Sequence, residues 1–321
     1  MKSNNLHIAI LSTTLLLSAG GASAADALAQ QSPTIAADAA AKTLDQSWQV
    51  AGDARVEIDN VRGSVMVTGW DQAQVKLSGS LGAGSRLEIS ADEHHLALRV
   101  EGGKTGWFGG NGPDHDSELL LNVPRGVALK LGVVSADATV TGVAGKSLDV
   151  NGVSGKLNLS SDAPEVDVNS VSGNIAFATA QTSAAARTHL QTVSGDIDAR
   201  KLSGRIKLET VSGNIDLDAR EVQELETGTV SGDARILAMP AAHARMTLES
   251  MSGDIRLRLP AALSAHVEAQ TFSGDISSDY GHVQNKERGP GSSLDARVGD
   301  GDAQISAQSF SGGIELRKQG G

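Results

Sequence analysis

Acidic and amide side chains recur at one position of a repeated phrase. Asp196, Asn214, Asp233, Asp254 and Asp275 each directly follow a Ser-Gly pair. In stacked parallel strands such residues would lie about 4.8 Å apart, where two like charges repel by roughly 1 kcal/mol even in water. Because Ca²⁺ prefers clustered oxygen ligands, Asp233, Asp254 and Asp275 are candidate cation ligands. The alternative is that they are solvated turn residues, which Asp and Asn favour, and that the chain needs no cofactor or metal.

A Gly-rich insertion at 102–117 holds two adjacent aromatic residues, Trp107 and Phe108. These are candidate contacts for a glycan or a protein partner, and the alternative is a plain surface loop. The same insertion carries the triplet Asp114-His115-Asp116. Neighbouring residues rarely point the same way, and the chain has no spaced ligand motif such as H-E-x-x-H. The triplet therefore favours a loop over a metal site.

The sequence predicts no catalytic residues. The repeated serines occupy equivalent positions, whereas a catalytic serine is normally singular, and the G-x-S-x-G elbow is absent. Four histidines of the repeat region are scattered and have no recurring acid partner (His189, His243, His266 and His282). We therefore expect a protein that is not an enzyme. The alternative is a polysaccharide-processing β-helix enzyme, in which Asp254 and Asp275 would belong to an acidic cluster.

The phrase that carries the acidic row consists of an apolar residue, Ser-Gly, usually Asn or Asp, and then Ile or Leu. Its serines lie 18–22 residues apart as far as Ser273 (Ser135, Ser154, Ser172, Ser194, Ser212, Ser231, Ser252 and Ser273). The next, Ser311, follows after 38 residues, which predicts two turns with a degenerate middle copy. Self-similarity at such a period is typical of stacked repeats.

The residues around each phrase alternate as in half-buried strands. Val166 and Val168 alternate with Asp167 and Asn169, and the parity then slips by one before Val171. A slip of one inverts which side chains face inward, so we place a corner or bulge just before each phrase. The glycine of the phrase either supplies a positive φ or allows two backbones to approach closely.

These patterns predict an all-β, single-domain parallel β-solenoid with 18–22 residues per turn. Parallel crossovers are almost always right-handed, and we expect the same of this coil. Aromatic residues make up only 2% of the chain, which fits a thin aliphatic core. The terminal charged run Glu315-Leu316-Arg317-Lys318 is expected to protect an open edge of the sheet.

The N-terminus indicates export. Residues 1–24 have a basic start at Lys2, an apolar stretch and the small-residue site Ala22-Ser23-Ala24, as in a cleaved signal peptide. Residues 25–47 are Ala-rich and are expected to be a linker or a short capping helix. The solenoid would then span 48–317, with irregular turns at 48–132 and regular repeats at 133–317.

Charge and cysteine usage exclude several partners. The leader holds one basic residue and no acid, so 26 basic and 38 acidic residues remain and the net charge becomes −12. Such a chain is a poor nucleic-acid ligand, because phosphate binding needs a basic face. It has no cysteine, so neither a lipid-modified cysteine nor a disulfide is possible, and no segment of the mature chain is predicted to be a transmembrane helix.

The chain resembles a bacterial family of exported β-solenoid domains called putative adhesins, a domain-of-unknown-function class. The resemblance rests on the VSGDI and VSGNI phrases and on three further stretches over residues 48–317: VRGSVMVTGWD at 61–71, LNVPRG at 121–126 and VGDGDAQISAQSFSGGIELR at 298–317. It implies a β-solenoid and supplies no functional residues.

We therefore expect a non-enzymatic cell-envelope protein, an adhesin or scaffold in the periplasm or at the surface of a Gram-negative bacterium. Its partner would be an envelope protein or a glycan. A cation-binding envelope or matrix component is the further alternative.

Overall fold

The computed structural model describes residues 34–37, 40–102, 116–180, 182–285 and 291–319, which all belong to one compact unit. The regular elements of these residues are all strands. The N-terminal strands are β1 (Thr34–Ala36), β2 (Lys42–Gln49), β3 (Arg55–Trp70), β4 (Gln74–Leu81), β5 (Arg86–Ala91), β6 (His95–Glu101) and β7 (Ser117–Pro124). The central strands are β8 (Ala128–Val143), β9 (Ser147–Ser154), β10 (Leu157–Ser161), β11 (Glu165–Ser172), β12 (Ile175–Ala178), β13 (Arg187–Thr192), β14 (Ile197–Ser212), β15 (Ile215–Ser231) and β16 (Ala234–Ser252). The C-terminal strands are β17 (Ile255–Leu259), β18 (Ala265–Ser273), β19 (Ile276–Ser278), β20 (Gln284–Asn285), β21 (Ser292–Val298), β22 (Ala303–Ser311) and β23 (Ile314–Lys318).

Each turn of the coil contributes a strand to each of two faces. The first face contains strands that lead into a Ser-Gly pair, such as β11, and the second face contains strands that leave it, such as β12. We call one strand of each face a rung and the bend between them the Ser-Gly corner. Along β11, Val166 and Val168 are buried while Glu165 and Asp167 are exposed, and this alternation lines a shared aliphatic core.

The registers confirm the predicted parallel solenoid and its period. On the first face Leu148 is aligned with Val166, then Thr188, Ile206 and Leu225. Successive partners are therefore 18, 22, 18 and 19 residues apart. Because the register aligns equivalent residues, every property of the repeated phrase becomes a continuous row along the coil.

The alternation slips at Val171 and Ser172, which are both exposed, but the corner itself lies about two residues later than predicted. β11 continues through Val171 and Ser172, and the chain turns at the glycine that follows. Of the two explanations for the phrase glycine, close approach is the one that all copies share. A Cβ on Gly195 would collide with the carbonyl group of Gly173 on the next rung, although Gly195 has no positive φ.

The C-terminal turn is inserted between two earlier turns. β22 pairs with β16 on one side and with β18 on the other, and β23 lies between β17 and β19. The predicted middle copy between Ser273 and Ser311 is wrong, because this stretch holds the antiparallel strands β20 and β21. The charged end Glu315–Lys318 is correspondingly an interior strand and protects no edge.

The N-terminal end repeats this arrangement. β3 lies between β8 on one side and β6 and β7 on the other. Antiparallel strands then cover the end of each face, with β5 and β1 on the first and β4 and β2 on the second. The segment expected to be a linker or capping helix thus holds β1 and most of β2. Within the described ranges, no helix is long and apolar enough to cross a bilayer.

Candidate functional site

The Asp and Asn residues of the phrase form a hydrogen-bonded ladder along the corner. The side-chain oxygen of each accepts a hydrogen bond from the backbone N–H of its counterpart on the next rung. Asn174 Oδ1 accepts from Asp196 N at 3.0 Å, Asp196 Oδ1 from Asn214 N at 2.8 Å, and Asn214 Oδ1 from Asp233 N at 3.0 Å. The row therefore replaces backbone pairing where the chain turns.

The three candidate cation ligands are not brought together as a group. Gly313 lies between Asp254 and Asp275, because its N–H donates to Asp254 Oδ1 at 2.9 Å and the next residue pairs with the Asp275 carbonyl. Asp233 and Asp254 share the guanidinium of Arg256, at 2.8 Å and 2.7 Å. The hydrogen bond from Arg256 lowers the pKa of Asp233 despite partial burial. Arg256 thus already offsets one of the two negative charges of this pair.

The apolar residue of each phrase points outward. Nine such side chains form a line along the corner, which we call the apolar stripe, and each is 43–58% exposed. In spatial order they are Val134, Val153, Val171, Val193, Val211, Val230, Met251, Phe310 and Phe272. At about 4.8 Å per rung the line extends for roughly 38 Å. A contiguous exposed apolar patch of several hundred Å² marks an interaction site more often than chance exposure does.

The C-terminal end of the stripe carries its largest side chains. Phe310 and Phe272 stack with ring centroids 4.8 Å apart and planes 3° from parallel. Met251 occupies the rung before Phe310. A groove of about 700 Å³ runs beside these residues and back to Val211. The alternating pattern of the strands could not reveal this stripe, because the sequence does not distinguish an exposed Val at a corner from a buried Val in the core.

Two polar rows flank the stripe. The exposed phrase serines lie on one side. On the other lies a row of residues two positions before the apolar one, which are amide or acidic except for two glycines (Gly132, Asn151, Asn169, Gln191, Glu209, Gly228, Glu249, Gln308 and Gln270). The corner therefore presents apolar contact area bordered by hydrogen-bonding groups, which is the composition of a protein interface.

A second groove, of about 660 Å³, lies on the first face and is lined by charged side chains. His189 is one of its lining residues, with Nδ1 3.4 Å from Asp167 Oδ2 and Nε2 3.5 Å from Glu209 Oε2. Lys207 Nζ lies 3.2 Å from Glu209 Oε1. The charges here neutralise one another across the strands, so the groove is an ion-pair network on the outer surface.

His266 also lies between acids. Its Nε2 is 2.9 Å from Asp295 Oδ1 and 3.7 Å from Glu268 Oε1. Within the described part of the chain, these three residues form the one group of His, Asp and Glu whose ligand atoms lie within 4.8 Å of one another. Strand pairing brings acid partners to His189 and His266 from 20–29 residues away, which the sequence spacing did not indicate.

Several predicted features lie outside the described residues. These are the signal peptide at 1–24, the aromatic pair Trp107 and Phe108, and Asp114 and His115 of the triplet. The third member, Asp116, is described and lies 3.5 Å from Arg62.

The fold defines a class of protein, a parallel β-solenoid with an inserted rung near each end. A family model described as Toastrack DUF4097 matches residues 53–317, and the chain belongs to this family. The predicted resemblance to a domain-of-unknown-function class of β-solenoids is thereby confirmed.

Solved structures with low sequence identity are also similar. A putative adhesin from Bacteroides fragilis is 12% identical, with 86% of this chain and 97% of that chain covered and a TM-score of 0.37. A putative adhesin from Parabacteroides merdae is 12% identical over 88% and 98%, with a TM-score of 0.33. A putative cell adhesion protein from Clostridium sporogenes is 10% identical over 87% and 100%, with a TM-score of 0.22. No curated protein matches the chain.

Proposed function

We propose that this chain is a non-enzymatic, exported cell-envelope protein of the adhesin or scaffold type, and that it docks a protein partner along the apolar stripe. The observation that carries the proposal is the stripe itself. Nine rungs each expose an apolar side chain at the same position, and none of these side chains belongs to the core.

Folding alone does not account for the stripe. The inward-facing residues fill the core without any contribution from the stripe. Burial of an apolar side chain is worth about 25 cal/mol of free energy for every Å² removed from water, and the exposed side chains of the stripe do not gain it. A partner that covers the stripe recovers this free energy along a rigid line. Because parallel ladders hold the rungs at constant spacing, the surface is preorganised and loses little entropy on binding.

The chemistry of the stripe favours a protein over a glycan. Seven of its nine members are Val or Met and only Phe310 and Phe272 are aromatic. Aliphatic side chains match apolar side chains of a protein, whereas sugar rings pack best on aromatic faces. The acidic row residues Glu209 and Glu249 and the net charge of −12 after removal of the leader further favour a partner with basic groups.

Export and location rest on the sequence. The leader at 1–24 has the features of a cleaved signal peptide, and a chain without cysteine avoids unwanted disulfides in an oxidising compartment. We assign the mature protein to the periplasm or cell surface of a Gram-negative bacterium. Its start at Ala25 is checked by N-terminal sequencing of the protein recovered from the envelope fraction.

The test is site-specific photo-crosslinking in the native envelope. A photoreactive amino acid replaces Met251 on the stripe or, as a matched control, Met239 on the second face, which is similarly exposed. We expect a discrete protein adduct from position 251 and none from position 239. The captured protein is then purified and its affinity measured for the wild type and for a variant with Val230→Asp and Met251→Asp.

Tight binding by the wild type and at least tenfold weaker binding by the stripe variant would support the proposal. A second-face variant with Leu237→Asp and Met239→Asp should bind like the wild type, which controls for added charge. Equal adducts at both positions, or no adduct, would sink the proposed role of the stripe. Release of reducing sugars from envelope polysaccharides by the purified protein would contradict the non-enzymatic assignment.

A further inference from the structure

Gly228 is a glycine that the fold does not require. It lies inside β15, it lacks a positive φ, and a Cβ added there would meet no atom within 4 Å. The phrase glycines differ, since each is crowded by the backbone of a neighbouring rung. A glycine within a strand weakens it, and one explanation is the close approach of another molecule.

Gly228 leaves a notch in the polar row beside the stripe. The register places Glu209 and Glu249 on either side of it across the sheet, and Val230 follows it on the same outward side of β15. Gly132 occupies the same row near the other end of the coil, but the Asp59 carboxylate takes the space over that glycine. The space over Gly228 is open and belongs to the groove along the stripe.

The notch is surrounded by uncompensated negative charge. Glu209 and Glu226 share one cation, Lys207, at 3.2 Å and 3.8 Å. Among the described residues, the Glu249 carboxylate forms no ion pair and no side-chain hydrogen bond. Glu209 also contacts His189 Nε2 at 3.5 Å, and the three carboxylates still outnumber the basic groups beside them, so the notch attracts a cation. Val230 and Val211 supply an apolar wall for the stem of a long side chain.

We propose that the notch over Gly228 receives a lysine or arginine side chain of the docked protein. The cationic end pairs with Glu249 and Glu209, and the methylene stem lies on Val230. This inference rests on the proposed function of the stripe. It adds that the partner protein contacts the stripe with a basic side chain.

The test uses three fluorescently labelled peptides, Gly-Ser-Val-X-Val-Ser-Gly with Lys, Gln or Glu at X, and the mature chain. Binding is measured by fluorescence anisotropy at low salt. We expect the Lys peptide to bind about tenfold more tightly than the Gln peptide, as one charge-assisted hydrogen bond would give, and the Glu peptide to bind least. Added salt should reduce the Lys preference.

Gly228→Thr fills the notch at a position where a side chain fits. This variant should fold at least as well as the wild type and should bind the Lys and Gln peptides with equal affinity, because neither side chain can enter the filled notch. Gly52→Thr is the matched control, because a Cβ on Gly52 also meets nothing within 4 Å and Gly52 does not line the groove. Glu249→Gln should reduce the Lys preference without unfolding the chain.

The outcomes separate the notch from the stripe. If Gly228→Thr keeps the Lys preference, or the wild type shows none at millimolar peptide, the notch inference is wrong. If Val230→Asp with Met251→Asp leaves Gln-peptide binding unchanged, the stripe fails as a contact surface even when the Lys preference persists.

Discussion

Two glycines of this solenoid should respond to the same substitution with opposite signs. Gly195→Ala adds a Cβ that collides with the carbonyl group of Gly173 and lies 3.0 Å from Thr192 Oγ1. Gly228→Ala adds a Cβ that meets nothing within 4 Å. Neither glycine has a positive φ, so backbone strain does not confuse the comparison, and any difference reports the close approach of adjacent rungs.

The cost at Gly195 follows from what must move. The colliding atoms are backbone, so relief requires the two rungs to separate locally. Three hydrogen bonds resist this: Thr192 Oγ1 to Gly173 O at 3.2 Å, Asp196 N to Asn174 Oδ1 at 3.0 Å, and Ile175 N to Asp196 O at 2.9 Å. Overpacking costs about 1–3 kcal/mol and a lost hydrogen bond about 1 kcal/mol. We expect Gly195→Ala to destabilise by about 3 kcal/mol, and Gly195→Val by more.

Gly228→Ala should stabilise by about 0.4–1 kcal/mol, because it reduces the entropy of the unfolded chain without a clash. The assay is urea and thermal unfolding followed by circular dichroism on both variants and the wild type. At about 2–4 °C per kcal/mol for a domain of this size, Gly195→Ala should lower the Tm by roughly 6–12 °C. Equal effects of the two substitutions would refute close packing of the rungs as the reason for the phrase glycine.

Three further predictions concern polar contacts. Asn214→Ala should cost at least about 1 kcal/mol, since it removes the acceptor for the Asp233 N–H and the Nδ2 donor to Asp196 Oδ1. Asn214→Asp keeps the acceptor and loses the donor, and urea unfolding compares the two variants. Arg256 lowers the pKa of Asp233 in the folded state. The ion pair therefore stabilises the fold at pH values above the unfolded pKa of about 4, and this stability is lost as the pH falls through the lower folded pKa. Arg256→Met should flatten the dependence of Tm on acid pH. Burial raises the pKa of Tyr280 to about 12, so the contribution of its neutral hydroxyl to folding stability is complete below about pH 10 and declines as the pH rises toward 12. Tyr280→Phe should remove that decline together with the hydrogen bond to Leu259 O at 2.9 Å. Thermal melting at pH 8 and pH 11 measures both effects.

The regular part of the coil was predictable because its information is local. Alternation such as Val166 and Val168 specifies a half-buried strand, and the recurrence of Ser-Gly specifies equal rungs. Both statements concern residues within one turn of each other. The observed registers of β9, β11 and β13 agree with them.

The order of the rungs at the ends was not predictable in this way. Every phrase offers the same glycine and a similar corner, so a copy ending at Ser311 fits beside Ser252 as well as beside Ser273, and in the structure it pairs with both. The similarity of the repeats makes the fold recognisable, but it also means that the sequence does not specify which rungs are neighbours in space. The acid partner Asp295 of His266 was missed for the same reason, since an antiparallel end strand brings it there.

The phrase combines residues with different physical duties, and this separation supports the functional proposal. Its glycine permits the rungs to approach, its Asp or Asn side chain satisfies the next backbone N–H, and its final Ile or Leu, as at Ile197, fills the core. The apolar first residue does none of these. Strand propensity favours Val at such a position, but it does not favour Met251 over a polar β-branched residue, and it does not explain two stacked, exposed phenylalanines. The end of the stripe with the largest side chains, a few rungs from the notch over Gly228, is therefore the part for which a binding function is best supported.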